Sequence, residues 1–132
     1  MKRKMILMVV ALLLVAFVAW PIAEAKAATR NATGSCSISR VGKCVTFSGR
    51  TSSCDNENTI RVTVVLQEYR DGVWYSISSR AKTLQNSDFV STTKDYTVTG
   101  GHYYRVYASH YAKTGDVVSS STSYTASTWI PN

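Results

Sequence analysis

The side chains with the chemistry to act are few: His102 and His110, three cysteines, seven carboxylates downstream of residue 27, and a set of spaced aromatic residues. Nucleophilic catalysis needs a Ser or Cys within reach of a base that a third group holds in place. The two histidines sit eight positions apart in HYYRVYASH, so a strand of period two puts them on one face with Tyr104, Val106 and Ala108, the inward one. They are expected to be buried or rim histidines rather than general bases, and no catalytic residue is assigned. Asp55 and Glu57, in CDNEN, alternate as calcium ligands do, yet the glycine and distal glutamate of an EF-hand are missing, so the segment reads as a solvated turn. Cysteine spacings of eight and ten lack the close pair of a zinc site, and the seven glycines are scattered rather than gathered in a phosphate loop. Neither metal nor cofactor is expected.

What remains is aromatic. The same alternation leaves Tyr103, Arg105, Tyr107 and Tyr111 on the outward face of their strand. Asp71-Gly72 carries the signature of a type I′ hairpin turn, which pairs Arg70 with Val73, Tyr69 with Trp74, Glu68 with Tyr75, Leu66 with Ile77, Val64 with Ser79 and Val62 with Ala81. In that register Ile60, Val62, Val64, Leu66, Ile77 and Ala81 face the core, and Arg61, Thr63, Gln67, Tyr69, Trp74, Arg80 and Lys82 face out. The candidate ligand-binding set is therefore Tyr69, Trp74, Tyr103, Arg105, Tyr107 and Tyr111. Two readings stay open: cross-strand aromatic pairs that stabilise an exposed sheet by up to ~1 kcal/mol each, or a flat platform for wall polysaccharide or a protein surface.

The elements that must position these residues follow an export signal. Lys2, Arg3 and Lys4 precede an unbroken apolar run from Met5 to Trp20, then Pro21 and two overlapping small-x-small sites, Ala23-Glu24-Ala25 and Ala25-Lys26-Ala27. Sixteen apolar residues rise only about 24 Å as a helix, short of a hydrocarbon core of roughly 30 Å, so residues 1–27 read as a cleavable signal helix rather than an anchor. Secretion with no stable membrane insertion is expected. Outside the cytosol thiols oxidise, and Cys36, Cys44 and Cys54 allow one bridge with three pairings. A Cys36 to Cys54 bridge is preferred, tying the first edge strand to the loop before Thr59; Cys44 is then free, and a disulfide dimer through it stays open.

From Ala28 onward the chain holds 11 basic and 7 acidic residues, a net charge too mild to point to nucleic acid. It has two Leu, no Met, 11 Val, all eight Tyr and 32 Ser+Thr, a strand composition. Residues 28–35 lack periodicity and read as a loose arm. The domain at 36–132 reads as strands near 36–41, 43–49, 59–69, 73–84, 89–99, 102–112 and 117–130, the last one piece or two, with Gly100-Gly101 at a corner between sheets. Spacings of this kind point to a sandwich or barrel rather than βαβ units, and the expectation taken is an all-β, single antiparallel β-sandwich of about seven strands.

The run Tyr103-Tyr104-Arg105-Val106-Tyr107-Ala108, followed by a glycine turn and a Ser/Thr-rich last strand, resembles the last two strands of fibronectin type III and immunoglobulin-like sandwiches; the Leu-x-Pro-Gly before the tyrosine corner is replaced by Val98-Thr99-Gly100-Gly101, and His102 stands near the corner position. The ordered set VTVVLQEY, DGVW, YTVTGGHYYRVYASHYAKTGD and SSSTSYTAS is similar to a family of small secreted proteins of Gram-positive bacteria, over about Cys36 to Ile130. That resemblance implies secretion and an all-β fold and carries no activity with it. The sequence thus leads to a secreted, non-enzymatic binding module at or near the cell surface, its ligand a carbohydrate or a protein. A membrane-active antimicrobial protein and a small hydrolase are the alternatives; the first lacks a basic amphipathic helix, and the second needs a histidine brought to an acid or Ser.

Overall fold

The turn residues decide where this chain reverses, and valine, threonine and tyrosine carry it between them. The computed structural model describes residues 32–132, in six strands: β1 (Thr33–Val41), β2 (Cys44–Arg70), β3 (Val73–Thr97), β4 (His102–Thr114), β5 (Val117–Tyr124) and β6 (Thr128–Ile130). The signal segment and residues 28–31 of the expected arm lie outside the described residues. Asp71 and Gly72 take φ of 50° and 83°, the left-handed pair of a type I′ turn, and close the β2–β3 hairpin as expected. All neighbouring strands pair antiparallel.

β2 and β3 are 27 and 25 residues long, and each merges two of the expected strands. Straight, β2 would reach about 90 Å at ~3.3 Å per residue. It bends instead where its register with β3 shifts between Ser52 and Glu57, and β3 bends with it, Asn86 taking a φ of 52°. The early half of β2 pairs with β1 and with the late half of β3; its late half pairs with the early half of β3 and with β4, which carries β5 and β6. One continuous sheet therefore folds over into two layers, three strands facing four. This is the expected all-β sandwich rather than a barrel.

The interior is the interdigitated inner faces of those layers. Val45, Phe47 and Val90 from one layer meet Ile60, Val62, Val64, Leu66, Tyr104, Val106 and Ala108 from the other, all fully or almost fully buried. Gly49 lets the layers approach: a Cβ there would collide with Val64 Cγ1 and come within 3.1 Å of Val62 Cγ2. Gly100 and Gly101, at φ 78° and 72°, form the corner by which β3 leaves one layer and β4 enters the other.

Four local expectations are corrected. The hairpin register holds from the turn to Gln67–Ser76, then shifts by one, because Ile77 is an extra residue on β3; Leu66 pairs with Ser78, Val64 with Arg80 and Val62 with Lys82. Arg80 and Lys82 thus leave the outward face for the inner side of an edge strand, where Arg80 Nη1 donates to Thr93 O at 2.9 Å, and Ala81 is exposed, not core. Inward charges of this kind also guard an edge strand against further pairing. Second, residues 32–35 of the expected loose arm are held in place: the Ala32 N–H donates to Ser119 Oγ, Ser121 Oγ donates to the Ala32 carbonyl, and β1 begins at Thr33. Third, Glu57 is buried rather than in a solvated turn, accepting from Ser53 Oγ at 2.6 Å and from Thr114 Oγ1, so that it pins the bend of β2 to the β4–β5 turn. Fourth, Cys36, Cys44 and Cys54 are all free thiols. Cys36 lies opposite Gly49 on β2, Cys54 stands exposed five positions farther along, and no bridge joins them.

Candidate functional site

β4 alternates as expected: Tyr104, Val106, Ala108 and His110 are fully buried, while Tyr103, Arg105, Tyr107, Tyr111 and Lys113 point away from the core. His102 keeps the inward register opposite Ile130 but stands at the rim, half-exposed at the strand start, its Nε2 3.8 Å from Glu68 Oε1. The buried tyrosine beside the Gly100-Gly101 corner is Tyr104. Its hydroxyl donates to Glu68 Oε2 at 3.2 Å and lies 3.5 Å from Thr99 Oγ1, with the Gly100 backbone reaching the same oxygen; burial is the first cause that raises its pKa. Glu68 also accepts from Arg70 Nε, whose pKa that contact raises.

His110 has no substrate-facing side. Nδ1 is 2.8 Å from Thr51 Oγ1 and Nε2 is 2.8 Å from Ser123 Oγ, so it bridges the two layers, and burial lowers its pKa. Ser123 Oγ goes on to donate to Cys36 Sγ at 3.3 Å, and that thiol points at Val106 O. This chain of polar groups closes a seam in the interior. Among the described residues no three His, Cys, Asp or Glu gather as a metal ion would require.

The outer face of the four-stranded layer is different. All six candidate residues lie on it; the ladder links Tyr69, Trp74, Arg105 and Tyr107 through Tyr124, which the sequence did not reveal, while Tyr103 and Tyr111 each have a partner of their own. Tyr69 and Trp74 pair with ring centroids 5.1 Å apart. Arg105 lies over Trp74 at 4.2 Å and over Tyr124 at 5.0 Å, its Nε donating to Gln67 Oε1 at 2.8 Å. Tyr124 meets Tyr107 at 5.3 Å, and Trp129 meets Tyr103 at 5.0 Å. Farther along, Arg61 covers Tyr111 at 4.7 Å. Tyr69, Trp74, Tyr103 and Ser127 line a shallow groove of about 160 Å³ between the aromatic groups.

Each exposed cation–π contact contributes ~0.5–1 kcal/mol, against ~2 kcal/mol of arginine rotamer entropy to be overcome. Two such contacts and one hydrogen bond are enough to offset that cost and hold the guanidinium over the rings. The rings beside it remain wet: Tyr69, Tyr103, Trp129 and Tyr124 are 39%, 46%, 49% and 58% exposed. A hollow of about 330 Å³ on the opposite layer is lined by Ser35, Ser37, Ser48, Arg50, Ser91 and Thr93 among others, but it presents no ring, and Arg50 Nε is already bonded to Ser35 Oγ.

The fold and the face together define a small all-β sandwich with an aromatic and cationic sheet surface. No protein-family model and no curated protein matches the chain. Among solved structures it is similar to the solution structure of R. palustris CsgH, at 12% identity and a TM-score of 0.40, over 70% of this chain and 90% of that one. It is also similar to the crystal structure of Spo0M, a sporulation control protein from Bacillus subtilis, at 11% identity and a TM-score of 0.42, over 77% of this chain and 50% of that one.

Proposed function

We propose that the protein is exported by cleavage at one of the two Ala-x-Ala sites and acts outside the cell, at or near its surface, as a non-enzymatic binding module. The outer face of the four-stranded layer is its binding site. The observation that carries this reading is Arg105, its guanidinium over both Trp74 and Tyr124 amid four half-exposed aromatic rings. Rigid amphipathic rings on a sheet lose little entropy when a partner covers them, which is what a recognition surface needs.

Capture from a cell-wall fraction by the purified protein tests it. Wild type should retain a wall component that Trp74→Ala and Tyr107→Ala retain at least about tenfold more weakly. Equal capture by all three proteins would remove the face from the account. Intact mass of the extracellular product should place its first residue at Lys26 or Ala28, and full-length chain held in the membrane fraction would refute export by cleavage.

A further inference from the structure

We infer that the ligand of this face is an acidic polysaccharide, its sugar rings lying on the exposed aromatic rings and its carboxylate or phosphodiester groups gripped by Arg105; the inference rests on the binding-module reading above. Charge comes first. The register rows of this face carry Arg61, Arg105 and Lys113 and no carboxylate among the described residues. The neighbouring acids are turned elsewhere: Glu68 is buried under Tyr104, and Asp71 and Asp116 sit in turns at the two ends.

Arg105 is built to read an anion. Nε is taken by Gln67 and the guanidinium carbon lies over the Trp74 and Tyr124 rings, while its terminal Nη groups have no hydrogen-bond partner among the described residues. The free edge offers parallel N–H donors, the fork that matches a carboxylate or phosphate bidentately. A lysine in its place would keep the charge and lose both the stacking and the fork.

The spacing favours a polymer. Along β4 the outward rows succeed one another at about 7 Å: Tyr103 with Trp129, Arg105 with Gln67, Tyr107 with Tyr124, then Tyr111 with Arg61 two rows on, and Lys113 at the end. Rings and cations thus alternate over roughly 33 Å, more than a small anion would use. A second copy of the chain fits poorly, because the same face opposed to itself sets cation against cation. An acidic peptide would satisfy the cations but bring no flat rings to the aromatic rows.

Four probes separate these cases: polygalacturonate for carboxylate, phosphomannan for phosphodiester, dextran as a neutral glycan, and polyglutamate as charge without sugar. The purified protein should bind at least one of the two acidic glycans about tenfold or more tightly than dextran or polyglutamate, with affinity falling as salt rises. Arg105→Gln should lose that margin and Arg105→Lys most of it, both melting as wild type does. Dextran bound as tightly as the acidic glycans, polyglutamate bound equally well, or an Arg105→Gln protein that binds unchanged would each overturn the inference. If wall capture still depends on Trp74 while no acidic glycan binds, this inference alone falls; if Trp74 is also indifferent, the binding-module reading falls with it.

Discussion

At the scale of the residue, His110 shows how far chemistry can be read from type and spacing. Its place on the inward face of β4 follows from the two-residue period, but its partners, Thr51 and Ser123, come from a bend and from a Ser/Thr-rich strand with no apolar signal. Burial lowers its pKa, so the unfolded chain binds the proton more readily than the folded one. The stability it supports is therefore complete above the unfolded value near 6.5 and is lost as the pH falls through and below it. Thermal melts should show a drop between pH 7.5 and 5 that His110→Gln flattens; a wild-type melting temperature constant over that range would contradict the assignment. Tyr124 and Trp129 escaped the sequence reading for the same reason that Ser123 did: the segment VVSSSTSYTASTWI buries little until Ile130, so no hydrophobic alternation announces which way its rings point.

At the scale of the element, the β2–β3 hairpin separates what local rules fix from what they miss. Turn chemistry sets the first four pairs, and with them the outward Tyr69/Trp74 pair. The bulge at Ile77 was hidden, because one extra residue leaves a polar strand such as SSRAKT with no apolar pattern to contradict the wrong register. Two substitutions test it. Ala81→Glu should change stability by no more than ~0.5 kcal/mol, as at an open surface site, whereas the unbulged register puts a charge in the core. Leu66→Ala should cost ~2–5 kcal/mol, while Trp74→Ala should keep the melting temperature within a few degrees. Unfolding by Trp74→Ala would mean that the indole is core. Gly72→Val, at φ 83°, should cost ~1–2 kcal/mol through the turn alone.

At the scale of the whole molecule, composition and turn spacing made an all-β sandwich legible, but not that two long strands run through both layers, since residues 50–58 and 85–88 look like loops and stay extended. That continuity carries Cys54 on β2 past the Gly49 position that faces Cys36 on β1, and Glu57, not a bridge, fastens the bend. Thiol labelling of the folded protein should modify Cys44 and Cys54 rapidly and Cys36 slowly, and reductant should leave the melting temperature unchanged; a loss near the ~3 kcal/mol of a 19-residue disulfide loop would restore the bridge. The layering also presents two unlike faces, hydroxyl-rich on one side and aromatic with cations on the other. Both tryptophans of the described residues, Trp74 and Trp129, stand on the second, so the indole N–H resonances report directly on it. Titrating the ¹⁵N-labelled protein with polygalacturonate or phosphomannan should shift both indole signals together with the amides around Arg105 and Tyr124, leaving Ser37, Ser48 and Thr93 still. Binding that moves those three amides and leaves both indoles in place would contradict the account.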